Sequence, residues 1–117
     1  MSAARLALID DQEDVRKALA EMLGVFGYKV DTYPNADAFL GGEARPACVI
    51  SDVRMPGLDG IGLVRKLAVS PLNAPVILIS GHADVPMAVE ALKAGAFDFI
   101  EKPVDDVKLV ASINRAL

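Results

Sequence analysis

One rhythm constrains this chain more than any other feature: short apolar runs alternate with helix-patterned segments from end to end. LALI at 6–9, VI at 49–50 and VILI at 76–79 are continuous runs rather than alternating ones. A strand with one wet face alternates apolar and polar residues, so unbroken runs call for burial on both faces. FDFI at 97–100 and the more polar KVDTY at 29–33 read as further strands, the latter nearer a sheet edge. Between them, apolar residues recur at helical spacing. Val15, Leu19, Met22 and Leu23 do so within Glu13–Leu23, and Ile61, Leu63, Val64 and Leu67 within Asp59–Leu67. A brief helix is predicted at Asn35–Leu40, ended by Gly41-Gly42, and others at Val85–Ala94 and Val104–Leu117. Asp84 is placed to cap the fourth helix, Pro86 fits its first turn, and Gly95 suits its C-terminal stop. Five β-α units joined by short connections predict a single domain over 1–117. Its fold class is α/β, a doubly wound three-layer sandwich with a parallel sheet between two layers of helices.

Charge and composition exclude several functions. The chain has 12 basic and 16 acidic residues, for a net charge of −4, and no cluster of four or more Lys/Arg. Direct nucleic-acid binding is therefore not expected. No run approaches the roughly 18 apolar residues of a membrane span, and MSAARLALID turns acidic too soon for a signal peptide. The single cysteine, Cys48, lies inside an apolar run and reads as a small core residue. With no disulfide available, a soluble protein of the reducing cytoplasm is expected.

The residues that leave each strand carry the chemistry. Strand one ends at Asp10-Asp11, strand three at Asp52, strand four at Ser80 followed by Gly81 and His82, and strand five at Lys102-Pro103. In a parallel sheet these ends share one edge, where open α/β sheets bind their ligands. Clustered carboxylates repel one another unless a cation neutralises them, and oxygen ligands with room for water suit Mg²⁺. One carboxylate can then act as nucleophile toward a phosphoryl group. Asp52 is the natural choice, being central and alone on its strand, while Asp10 and Asp11 are better placed as metal ligands together with the Arg54 carbonyl. Lys102 neutralises charge on the transferring oxygens and Ser80 donates a hydrogen bond to them.

IDDQEDVR at 9–16, SDVRMPGLDG at 51–60 and LISGHADVPMAVEALKAGAFDFIEKP at 78–103, with the spacing between them, resemble the receiver domain of bacterial two-component response regulators. The resemblance covers essentially the whole chain. It is most similar to receivers that precede a helix-turn-helix output domain of the LuxR type. It implies a flavodoxin-like sheet of order 2-1-3-4-5 and a phosphoryl group passed to Asp52 from a sensor histidine kinase or a histidine phosphotransfer protein. It further implies Mg²⁺, with Mn²⁺ as substitute, held by Asp10, Asp11, Asp52 and the Arg54 carbonyl. Lys102 and Ser80 contact the phosphoryl group, Lys102-Pro103 is cis, and Phe99 with Ser80 reports the switch. Arg54, Gly81, His82 and Pro103 form the pocket rim. Val104 stands where the family often has Phe.

The resemblance also implies that phosphorylation alters a surface of the fourth helix, fifth strand and fifth helix, with Val89, Ala91, Leu92, Val107 and Lys108 as candidates. That surface either forms a homodimer or controls a C-terminal DNA-binding output domain, and slow self-dephosphorylation resets it. Asp14, Arg16 and Lys17 are expected next to the phosphorylation edge, Arg16 and Lys17 exposed, with Val15, Pro103 and Val104 available to a docked kinase. Phe97 and Phe99 are expected to pack one face of the last strand, and Asp10 or Asp11 to cap the first helix.

Rival readings fail on particular residues. A haloacid-dehalogenase-like phosphatase needs a second carboxylate where Arg54 stands, and a P-loop NTPase needs a GxxxxGK[ST] motif that the chain lacks. DDQED would repel the phosphate of a flavin mononucleotide. A phosphorylation-independent interaction module derived from a receiver is the remaining alternative, though the acceptor, metal-ligand and lysine positions are all filled.

Overall fold

The computed structural model describes residues 4–82 and 84–117, so the first three residues of MSAARLALID and Ala83 of the SGHADVP motif lie outside the described residues. Strands and helices alternate without exception: β1 Arg5–Ile9, α1 Glu13–Val25, β2 Lys29–Tyr33, α2 Ala36–Leu40, β3 Cys48–Asp52, α3 Gly60–Ala68, β4 Val76–Ser80, α4 Val85–Ala94, β5 Asp98–Glu101 and α5 Asp106–Ala116. The five strands form one sheet of order β2-β1-β3-β4-β5, parallel throughout. The chain first steps outward from β1 to β2, then returns past β1 to β3. That reversal leaves a crevice beyond the carboxyl ends of β1 and β3.

The two-residue period of each strand splits the core in two. Ala7, Ile9, Val49, Val76 and Leu78 face α2, α3 and α4, packing on Phe39, Ile61, Leu63, Val64, Leu67 and Ala91. Leu6, Leu8, Cys48, Ile50, Ile77 and Ile79 face the other way onto Leu23, Leu109 and Ile113 of α1 and α5. Central strands β3 and β4 are buried along their whole length, as their unbroken apolar runs require, while edge strand β2 is not. Cys48 is fully buried, and that burial pushes its thiol up to about 12, which keeps it protonated and inert.

Four helices begin on a side-chain cap that satisfies orphan amide N–H groups. Asn35 accepts from the Ala38 N–H at 2.7 Å, Asp59 from Gly62 at 2.7 Å, Asp84 from Met87 at 2.7 Å and Asp105 from Val107 at 2.9 Å. Gly95 ends α4 at φ +116°, a conformation open to glycine at little cost. Helix α1 is the exception. Its N-cap is Gln12, which makes no side-chain cap, so neither Asp10 nor Asp11 plays the capping part expected of them. Asp10 is buried instead, its Oδ1 accepting from the Gln12 N–H at 2.9 Å, and Asp11 is exposed.

Two surface expectations also need correcting. Phe97 lies just before β5, whose paired register opens at Asp98 opposite Ile77, and is 41% exposed. Only Phe99 packs against the core. Ala91 is fully buried because it lies on the inward stripe of α4, whereas Val89, Leu92 and Val107 are exposed, as is Lys108.

Candidate functional site

Asp52 is the last residue of β3, Asp10 follows β1 directly, Ser80 ends β4 and Lys102 follows β5. Parallel register therefore brings to one sheet edge residues that are far apart in sequence. Asp10 is 2% exposed, Asp52 8% and Ser80 1%, whereas Asp11 stands out in solvent. One carboxylate oxygen from each of Asp10, Asp11 and Asp52 lies within 4.8 Å of the others, a group able to hold a metal ion. Hard oxygen donors at such spacing fit a small divalent cation better than a soft one.

Lys102 reaches over this group. Its Nζ lies 2.9 Å from Asp52 Oδ2 and 3.5 Å from Asp10 Oδ2. The peptide bond to Pro103 is cis, as the resemblance implies. The Lys102 N–H donates to the Ser80 carbonyl at 2.9 Å, which binds the end of β5 to the end of β4. Gly81 lies against the Lys102 stem, where an added Cβ would sit 3.8 Å from Cδ, and His82 and Pro103 are exposed at the rim.

The backbone after β3 explains why the chain turns so sharply from Asp52. The Arg54 N–H donates to Asp52 Oδ1 at 3.3 Å, leaving the Arg54 side chain exposed. The Val53 N–H donates to Ile79 at 3.0 Å and the Gly60 N–H to Val53 at 2.9 Å, so α3 starts almost on top of the Asp52 peptide. A Cβ on Gly60 would lie 2.5 Å from the Asp52 carbonyl oxygen. Only glycine permits that approach. The Asp59-Gly60 pair thus supplies first the cap of α3 and then the clearance.

Ser80 is engaged away from Asp52. Its hydroxyl accepts from the His82 N–H at 3.2 Å and contacts Met87 Sδ in α4 at 3.6 Å. Phe99 is half-buried against the α3–α4 side of the core. Arg16, expected in solvent, is instead half-buried, with a guanidinium nitrogen 2.7 Å from the Asp10 carbonyl oxygen. Arg16 was expected beside the site only as an exposed residue, and Gly60 and Met87 were not expected there. Arg16 stands one helical turn after Gln12 and Gly60 follows a capping Asp, but Met87 looks like any core residue of an apolar helix.

Burial pushes the Asp10 carboxyl above its ordinary value and the nearby Asp52 charge adds to this, against the opposing pull of the Gln12 N–H and of Lys102. The folded chain therefore holds the Asp10 proton more tightly than the unfolded chain does. Metal-free stability falls as pH rises from the ordinary carboxylate range through the raised value, and remains lowered above it. Asp10→Asn is accordingly expected to raise the metal-free thermal midpoint at pH 7 by a few degrees, with no gain near pH 3. Thermal unfolding in EDTA at both pH values checks this.

The doubly wound sheet thus gathers buried carboxylates and a lysine at the carboxyl ends of its strands. The family described as response regulator receiver domain matches residues 6–114, and the chain belongs to it. It is 48% identical over 111 residues to the transcriptional regulatory protein FixJ of Rhizobium meliloti (strain 1021), covering 93% of this chain and 54% of FixJ. Over 119 residues it is 45% identical to the C4-dicarboxylate transport transcriptional regulatory protein DctD of the same organism, covering 99% of this chain and 26% of DctD. The chain thus spans about half of FixJ and a quarter of DctD. The crystal structure of FixJ-N superposes with a TM-score of 0.90 at 46% identity, covering 99% of this chain and 94% of that one. The chemotaxis protein CheY4 of Vibrio cholerae shares the fold, with a TM-score of 0.91 at 24% identity over 99% of this chain and 100% of that one. Among the described residues no helix is long and apolar enough to cross a membrane.

Proposed function

We propose that this receiver is a phosphoacceptor switch in which Asp52 takes a phosphoryl group from a phosphohistidine of a sensor histidine kinase or phosphotransfer protein. The observation that carries the reading is Lys102 Nζ, 2.9 Å from Asp52 and 3.5 Å from Asp10 beside the three-carboxylate group. A purely structural ion pair needs no third carboxylate in the same crevice.

Asp10, Asp11 and Asp52, with the Arg54 carbonyl, are the residues that would hold Mg²⁺ or Mn²⁺. Bound there, the ion supplies positive charge against the phosphoryl oxygens. A carboxylate oxygen of Asp52 forms the new bond to phosphorus as the bond from phosphorus to the donor imidazole breaks, and the imidazole leaves with the shared electron pair. Lys102, already on Asp52, follows the charge onto the phosphoryl oxygens. Ser80 gives up the His82 N–H and Met87 to donate to the same group. Its release loosens the start of α4, Phe99 turns inward, and the surface around Val89, Leu92, Val107 and Lys108 changes as a pre-existing equilibrium shifts. Water slowly removes the phosphoryl group from Asp52.

The output proposed is control of transcription in the cytoplasm. The chain is a single receiver that couples to homodimer formation or to a LuxR-type DNA-binding domain, and itself makes no contact with nucleic acid. FixJ and DctD, with matching receiver stretches, are transcriptional regulatory proteins, which supports that output. Val15, half-buried near the start of α1, and Pro103 and Val104, which follow Lys102, are the contacts proposed for the donor.

Intact mass after incubation with acetyl phosphate tests the chemistry. A Mg²⁺-dependent gain of about 80 Da, one phosphoryl group, is expected for the wild-type chain and not for Asp52→Asn. No gain from acetyl phosphate or from phosphorylated kinases would leave a phosphorylation-independent docking module as the better reading.

A further inference from the structure

We infer that Arg16 is a positioning residue for the metal-binding acidic pair, acting through the peptide that joins Asp10 to Asp11. This rests on the cation site proposed above. Asp10 is gripped at three points. Its N–H donates to the Tyr33 carbonyl at 3.1 Å, its Oδ1 accepts from the Gln12 N–H at 2.9 Å, and its carbonyl oxygen accepts from the Arg16 guanidinium at 2.7 Å. The first two hold the Asp10 N–H and close a turn from its side chain to Gln12, which restrains the Asp10–Asp11 peptide without engaging its carbonyl. The Arg16 contact pins that plane, and with it the direction in which the chain enters Asp11. Asp11 is the exposed member of the carboxylate group, at the start of the loop into α1, where burial does not hold it.

The helix makes the grip possible. The Arg16 N–H donates to the Gln12 carbonyl at 2.9 Å, closing the first turn of α1 and bringing the side chain back toward the end of β1. A charged donor to a neutral carbonyl is stronger than an amide–carbonyl pair, and the planar guanidinium loses little freedom in making it. Groups that orient metal ligands without touching the ion commonly change affinity by about 10- to 100-fold when removed.

Electrostatics alone predicts the opposite sign. Arg16 is a cation near the carboxylate group, so deleting its charge without any positioning role would tighten Mg²⁺ binding. Titration of the full chain with Mg²⁺ by calorimetry therefore separates the two, with the metal-free thermal midpoint as a measure of general structural damage. Arg16→Met, which keeps most of the stem, is expected to weaken Mg²⁺ binding by about 10-fold. Arg16→Lys, which restores charge and one donor, should recover part of the loss while the metal-free midpoints of all three proteins remain close.

Equal or tighter binding by Arg16→Met beside a binding wild type overturns the role of Arg16 and leaves the site intact. Failure of the wild-type chain to bind Mg²⁺ overturns the cation site and this role with it. Should Arg16→Met fold poorly, Arg16→Lys decides: weaker binding at an unchanged midpoint supports the role, and wild-type binding overturns it.

Discussion

Lys102→Met is expected to slow phosphorylation of Asp52 by acetyl phosphate about 100-fold or more, the scale on which removing a single charge-stabilising donor acts in a water-poor site. Among the described residues Lys102 is the one side chain that hydrogen-bonds the Asp52 carboxylate, at 2.9 Å. Methionine preserves most of the stem and removes the ammonium, so the loss reports charge rather than packing. Mg²⁺ affinity should hold or rise, because a competing cation has gone, and that separates the lysine from the metal ligands. A time course of intact mass at saturating Mg²⁺ measures it, and a rate near that of the wild type would sink the role given to Lys102.

The same substitution should lower metal-free stability by about 2 kcal/mol, less than for a fully buried pair because the Lys102 side chain is 21% exposed. Desolvation alone would pull its pKa down, but the hydrogen bond to Asp52 and the charges of Asp10 and Asp52 outweigh it and raise it above 10.5. A cation whose pKa is raised by folding stabilises fully below its unfolded value. That contribution fades only as pH climbs through the folded one. The gap between wild type and Lys102→Met is thus expected to persist at pH 7 to 9 and to close in strong alkali.

Gly60→Ala is expected to cost about 3 kcal/mol, the upper part of the range for overpacking, or a fall of about 12 °C in thermal midpoint for a domain of this size. The new Cβ would meet the Asp52 carbonyl oxygen at 2.5 Å, Leu78 Cδ2 at 2.8 Å and Val53 Cα at 2.9 Å. Two of these are backbone of a buried strand end that cannot move without moving Asp52. Alanine gains about 1 kcal/mol of helix propensity over glycine, so the clash decides the sign. Gly62→Ala is the control: its 2.6 Å neighbour is Leu58 Cδ1, the far end of a flexible side chain, and the loss should be under about 1 kcal/mol. Thermal unfolding of the pair checks this, and a Gly60→Ala midpoint within about 2 °C of wild type would show that α3 can retreat. Phosphorylation should fall in Gly60→Ala as well, since the displaced peptide carries the proposed acceptor, Asp52.

Much of this is legible in the sequence. Unbroken apolar runs such as VILI declare burial on both faces, and capping residues such as Asp84 and Gly95 mark helix ends, because both signals depend on only a few neighbouring residues. Parallel connections then place Asp10, Asp11, Asp52, Ser80 and Lys102 at one edge without knowledge of any distance. Signals that depend on what a side chain meets across the fold were read wrongly. Arg16 looked like a solvated helix charge and Ala91 like surface, while Phe97 looked paired with Phe99; each was decided by the element packed against it, or by its absence at the sheet edge.

The sequence by itself determined the alternating architecture, the strand-end location of the chemistry and the identity of the groups gathered there, since local pattern and the handedness of parallel connections suffice for these. Only the tertiary structure decided that Lys102 bridges Asp52 and Asp10, that Ser80 faces Met87 and the His82 N–H, that Arg16 grips the Asp10 carbonyl and that Gly60 must be glycine. Those are matters of ångströms between residues remote in sequence. They are set by how two helical layers close on one sheet, which no window along the chain contains.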